Sequence, residues 1–307
     1  MPMIRINASG DGLVRHNSDS AAILPALRHG LAGRGPVIVM VHGFKYRPGH
    51  PRACPHRSIF ATDATRGAAA WPRHLGFGLG DRDEGLAVAF GWNARGSLPR
   101  IFRSAEAAGR RLAELLAEIR RFAPGRPIHL LTHSLGSEVA FEALRHLPPS
   151  SVRRVICLTG ASFRSTALRA MASPAGRTAE LVNVTSREND LFDFLFEWMV
   201  RAPQPGDRAM GQGLEARNIV TLQLDHPAHL RALASLGNPI APARRRICHW
   251  SGYMRPGVLR LWSRAMRAPE QLPLAVMAPT PPAPRWSRLM VLPQLGAFLS
   301  DTGKPAI

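Results

Sequence analysis

The strongest constraint on this chain lies at residues 127–137, Pro-Ile-His-Leu-Leu-Thr-His-Ser-Leu-Gly-Ser. An apolar run from Ile128 to Leu131 stops at Thr132-His133-Ser134-Leu135-Gly136, and good helix formers follow from Glu138 to Leu144. That pattern predicts a buried strand, a tight turn and a helix. Ser134 falls on the turn, where its hydroxyl projects from the carboxyl end of a sheet. The peptide N–H of Leu135 opens the helix toward whatever Ser134 touches. A serine after an apolar run also suits a helix N-cap, so the rest of the chain decides between cap and nucleophile.

Five more apolar runs read as strands. Val37–Val41 is continuously β-branched or apolar and ends in His42-Gly43-Phe44. Leu86–Phe90 ends in Gly91-Trp92, Val152–Thr159 in Gly160, Leu181–Ser186 in Arg187-Glu188-Asn189-Asp190, and Ile219–Leu224 in Asp225-His226. Runs of this kind, apolar on both faces, suit a parallel sheet covered on both sides. Helices are expected between them, at Ala21–Leu31, Ile101–Phe122, Leu191–Val200 and His229–Leu236. The second shows Ala108, Leu112, Leu115, Leu116 and Ile119 at three- and four-residue spacing. Residues 3–7 fit a small edge strand. The fold class expected is α/β, a doubly wound, mostly parallel sheet flanked by helices. A single domain spans 1–307, with 45–84 as a long Pro- and Gly-rich lid or binding loop and 268–307 as a Pro-rich strap whose last apolar piece is Leu289–Leu299.

The chain has 307 residues and a net charge of +19, yet all but two of its 40 basic residues are arginine, Lys45 and Lys304 being the exceptions. With 27 Gly and 27 Pro this is the composition of GC-rich coding. The charge is therefore discounted as a sign of nucleic-acid binding, although its field still attracts anionic substrates, acidic proteins or membrane surfaces. Cys54, Cys157 and Cys248 show no paired spacing, and Cys157 reads as an inert core thiol. His50, Cys54 and His56 lie close together but match no zinc spacing, so no metal is expected. The amino terminus lacks an apolar leader segment, and no apolar stretch approaches the roughly 20 residues that span a bilayer. A soluble cytoplasmic protein is the expectation.

These features resemble the α/β-hydrolase superfamily, and within it a bacterial esterase- or lipase-like branch. The family's elbow is G-x-S-x-G; here Thr132 stands in the first glycine position and Gly136 in the second. The resemblance implies acyl transfer with Ser134 as nucleophile and the N–H groups of Phe44 and Leu135 as oxyanion hole. It implies an acid after the next strand but one, for which Asp190 is the first choice, Asp193 the competitor and Glu188 the third. It implies a histidine near the chain end, either His249, in Ile247-Cys248-His249-Trp250-Ser251-Gly252, or His226, which also suits the first turn of a helix. His42, Trp92, His133, Phe194 and Trp250 are the pocket candidates, Trp92 and the aromatic 191–200 segment serving equally well as core. The substrate expected is a small-molecule ester or related acyl compound, with no organic cofactor. A non-catalytic protein of the same fold, or a basic protein that binds anionic surfaces, remains the alternative.

Overall fold

A computed structural model describes residues 3–10, 12–17, 23–62, 70–81 and 83–288. The strands are β1 (Met3–Ser9), β2 (Gly12–Arg15), β3 (Val37–Val41), β4 (Leu86–Gly91), β5 (Ile128–His133), β6 (Arg154–Leu158), β7 (Glu180–Thr185) and β8 (Ile219–Gln223). They form one sheet in the order β2-β1-β4-β3-β5-β6-β7-β8. Only the β1–β2 hairpin is antiparallel. The helices are α1 (Ile23–Gly30), α2 (Trp71–His74), α3 (Leu98–Phe122), α4 (Gly136–Arg145), α5 (Arg164–Met171), α6 (Pro174–Thr178), α7 (Asp190–Met199), α8 (Pro227–Ser235), α9 (Ser251–Met254), α10 (Val258–Arg267) and α11 (Leu274–Met277).

Every side chain of β3 is buried. Val37, Val39 and Val41 enter a core shared with α1, α3, α4 and α5, while Ile38 and Met40 enter a second core under α2, α8, α10 and α11. Period-2 alternation between two apolar layers explains why this strand reads as an unbroken apolar run. On the first face α3 and α4 cross closely at Gly109, where a Cβ would stand 2.5 Å from that of Glu142.

The strand order fixes where chemistry can sit. After β3 the chain turns to one side to make β4, and after β5 to the other to make β6. The loops leaving β3 and β5 therefore diverge, opening a crevice at their carboxyl ends, the place where such sheets bind ligands. His42-Gly43-Phe44 and His133-Ser134-Leu135 border it.

Two details depart from the sequence reading, and a third adds to it. Residues 3–7 are not the edge of the sheet, because the hairpin partner β2 takes that place, and its four residues, three half-buried and Val14 exposed, carry no readable alternation. The 45–84 segment is not simply an exposed loop. Its described part sends Ile59, Phe60, Trp71, Leu75 and Phe77 into the second core, and Cys54 and His56 are buried with it. Residues 268–288 run along β8, where Ala283 N–H donates to Gln223 and the Thr280 carbonyl meets His229, and reach α7 at Trp286. The expected apolar piece Leu289–Leu299 lies outside the described residues.

Candidate active site

Ser134 has φ 53°, a left-handed conformation that costs a serine strain and that the strand–turn–helix junction imposes. Its N–H donates to the Leu158 carbonyl of β6, and its own carbonyl accepts from Ser137 and Ala161, so both strand ends hold the turn. Gly136 is required here: a Cβ would lie 2.7 Å from the Val41 carbonyl oxygen. Gly43 meets the elbow from the other side, its absent Cβ 2.6 Å from both the His133 carbonyl oxygen and Ser134 Cβ. Thr132 fits the first glycine position because its hydroxyl has a partner, Ser137 Oγ at 2.9 Å in the first turn of α4. Cys157 lies buried in the same place, its thiol pushed up to about 11 by burial.

The Gly43–Phe44 loop is held by an imidazole. His42 is fully buried; its Nδ1 lies 2.9 Å from the Gly43 carbonyl and its Nε2 accepts from Trp92 N–H. Burial lowers its pKa to about 4, so the ring is neutral and each nitrogen keeps one role. Trp92 returns a bond from Nε1 to the His42 carbonyl and stacks on the ring. Trp92 therefore packs beneath the loop, and His42 shapes the loop from below. Among the described residues, neither Phe44 N–H nor Leu135 N–H donates to a backbone carbonyl.

His249 is carried on the loop between α8 and α9. Its carbonyl accepts from Thr159 Oγ1 at 2.9 Å and faces His133 Nε2 at 3.2 Å, which ties it to the ends of β6 and β5. Its ring stacks on Phe192 of α7 and lies 4.7 Å from the His133 ring. Cys248 N–H donates to the Glu188 carbonyl at 2.8 Å, and the Glu188 carboxylate forms a buried pair with Arg255 just beyond α9. Glu188 is thus scaffolding that clamps the histidine loop to the end of β7. Burial first, then the neighbouring His133 and Lys45, hold the His249 pKa well below the usual histidine value. Among the described residues Ser134 Oγ and His249 are not hydrogen-bonded, and such contacts often tighten only around substrate.

The partner of His249 corrects the sequence reading. Its Nδ1 lies 2.7 Å from Asn189 Oδ1, not on a carboxylate of Asp190. Asp190 points to Arg187, 3.1 Å away, and accepts from Trp286 N–H at 2.7 Å. The short 3₁₀ turn Arg187–Asn189 ahead of α7 sets the phase, so that positions 189 and 193 face the imidazole side and 190 faces away. Asp193 joins the site at one remove. Asn189 Nδ2 donates to Asp193 Oδ1 at 2.9 Å, and Asp193 Oδ2 has no partner among the described residues. Burial pushes the Asp193 carboxyl up to about 7, against the pull of Arg285 and Arg187.

His226, the other histidine considered, caps α8 through Nδ1 and lies tilted against His229, ring centroids 4.5 Å apart. Phe194 and Trp250 are exposed, and Ser134 itself is only 5% exposed. His56 is spent on Asn7, and Cys54 faces His16. Among the described residues no three His, Cys, Asp or Glu side chains converge as a metal site, and no helix is long and apolar enough to cross a membrane. Asn189 is the residue sequence reasoning missed, since the search at that position was for an acid; its four-residue spacing to Asp193 was the available signal.

Residues 26–161 match the profile of a family described as alpha/beta hydrolase of unknown function (DUF900). A comparison with curated proteins gave no match. Among solved structures, phospholipase PlaB from Legionella pneumophila in complex with thio-NAD is similar at 10% identity and a TM-score of 0.28, over 57% of this chain and 43% of that one. The chain thus spans less than half the length of that protein. With the switch-point sheet and the elbow at Ser134, the match over residues 26–161 agrees with an α/β-hydrolase fold.

Proposed function

We propose that this protein is a serine hydrolase of carboxylic esters or related acyl bonds, with Ser134 as nucleophile, His249 as base and Asn189 as the group that orients the base. The observation that carries the reading is the amide chain His249–Asn189–Asp193. Once Asp193 is ionised, above its raised pKa of about 7, it offers only acceptors, so the Asn189 NH2 faces Asp193 and its oxygen faces His249. His249 Nδ1 then carries the proton and Nε2 the lone pair, the tautomer a general base needs.

Ser134 attacks the acyl carbonyl and gives its proton to Nε2. The N–H groups of Phe44 and Leu135 receive the oxyanion, a contribution of roughly 2.7–4 kcal/mol per donor. His249 returns the proton to the leaving alcohol, and water repeats the cycle on the acyl-enzyme. No metal or organic cofactor takes part in these steps.

Labelling with a fluorophosphonate tests this. Wild type and His226→Ala are expected to label, and Ser134→Ala and His249→Ala to lose labelling. A folded wild type that resists the reagent would overturn the reading.

A further inference from the structure

Helix α7 is built with its polarity reversed. A surface helix normally buries its apolar stripe and shows its charges to water. In α7 the three carboxylates turn inward: Asp190 to Arg187, Asp193 beneath Asn189, and Glu197 to Arg285 at 2.8 Å. Phe194, Leu195, Trp198 and Met199 face solvent, and Trp198 is 77% exposed. The acids are held inside by three specific partners, so the outward apolar face is a fixed product of the fold.

A second exposed segment sits beside it. Residues 244–247, Arg-Arg-Arg-Ile, are all exposed and run into His249-Trp250, whose indole is also exposed and lies 6.3 Å from Phe192 of α7. Arg201 lies two residues past the end of α7 and is exposed as well. The surface therefore combines four apolar side chains of one helix turn-and-a-half, a neighbouring Trp and Ile, and arginines at both ends. Contiguous apolar exposure of this kind marks a docking site. Aromatic anchors mixed with arginine match one partner, the interface of an anionic lipid bilayer, where indoles sit at headgroup depth and arginines meet phosphate. An acidic protein would meet the arginines but would leave Trp198 and Leu195 without cover.

We propose that α7 and the Arg244–Trp250 loop dock this protein onto anionic lipid surfaces. These are the segments that follow Asn189 and carry His249, so docking brings the membrane to the mouth of the site. That the substrate is an ester held in such a surface rests on the hydrolase reading above; the docking does not.

The test is flotation of the full chain with vesicles of pure phosphatidylcholine and of phosphatidylcholine with phosphatidylglycerol. Binding is expected only to the second, with a loss of about five-fold for each of Arg244→Gln and Arg246→Gln, and weakening as salt rises. Leu195→Ser/Trp198→Ser is expected to stop flotation while leaving the urea midpoint and fluorophosphonate labelling unchanged, and Ser134→Ala is expected to float like wild type. Absence of flotation on either vesicle would overturn the proposal, as would a stable dimer in sedimentation that the Leu195→Ser/Trp198→Ser pair dissociates. Flotation without labelling would uphold the surface and sink the hydrolase reading; labelling without flotation would do the reverse.

Discussion

Asn189 is uncharged, so in the proposed mechanism an imidazolium on His249 would get no direct counter-charge from its hydrogen-bond partner. The nearest negative charge is one amide away on Asp193, in a buried setting where its carboxyl titrates near 7. Asn189→Asp is therefore expected to keep activity, and Asn189→Ala to lower kcat roughly 10²–10⁴-fold. Asp193→Asn is the sharper test: with an amide behind it, Asn189 is free to turn its NH2 toward His249 and hold the wrong tautomer. Its kcat should fall while KM holds, and a wild-type kcat would remove Asp193 from the mechanism. Because burial lowers the His249 pKa, the acid limb of kcat/KM should lie below pH 6.5 in wild type. The strand-end positions of Gly43, Ser134 and Leu135 were readable from sequence because strand-end motifs are local. The choice between 189 and 190 was not, since the short 3₁₀ turn Arg187–Asn189 ahead of α7 decides which side chain faces the loop between α8 and α9.

At the level of elements, the site depends on close approach of backbones. β3 and the elbow touch through Gly43 and Gly136, and α3 meets α4 through Gly109. Gly109→Ala should force these helices apart and lower stability by about 1–3 kcal/mol in urea unfolding. Gly125→Ala, where a Cβ meets nothing within 4 Å, is the control and should change little. Equal effects would mean that the crossing is not tight. The long α3 and the buried runs of β3 to β8 could be read from periodicity alone, because their neighbours lie on both faces of the sheet and demand apolar residues throughout. The burial of Phe60, Trp71 and Phe77 could not, since this segment has no period and is fixed only by packing on β3, β4 and α10.

Over the whole molecule, buried titratable groups set the response to pH. His42 and His133 are held near 4, His129 near 3 and His56 near 2 by burial, and His249 is also lowered. These rings are neutral when folded and take protons when unfolded below about pH 6.5. Glu138 and Asp193, both raised to about 7, do the opposite: folded they keep a proton that the unfolded chain has lost above about pH 4.5. The lowered imidazoles outnumber the raised carboxyls, so unfolding takes up protons and stability should fall as pH drops from 6 toward 4.5. Urea midpoints across that range measure it, and a flat profile would show that these histidines are protonated in the fold. The crevice between β3 and β5 carries one more consequence. Its parts come from residues near 43, 134, 189 and 249, and β3 meets β5 only after about ninety intervening residues are placed. Loop closure on that scale is slow. On refolding, helix signal should return well before fluorophosphonate labelling, and a partly folded chain should show none.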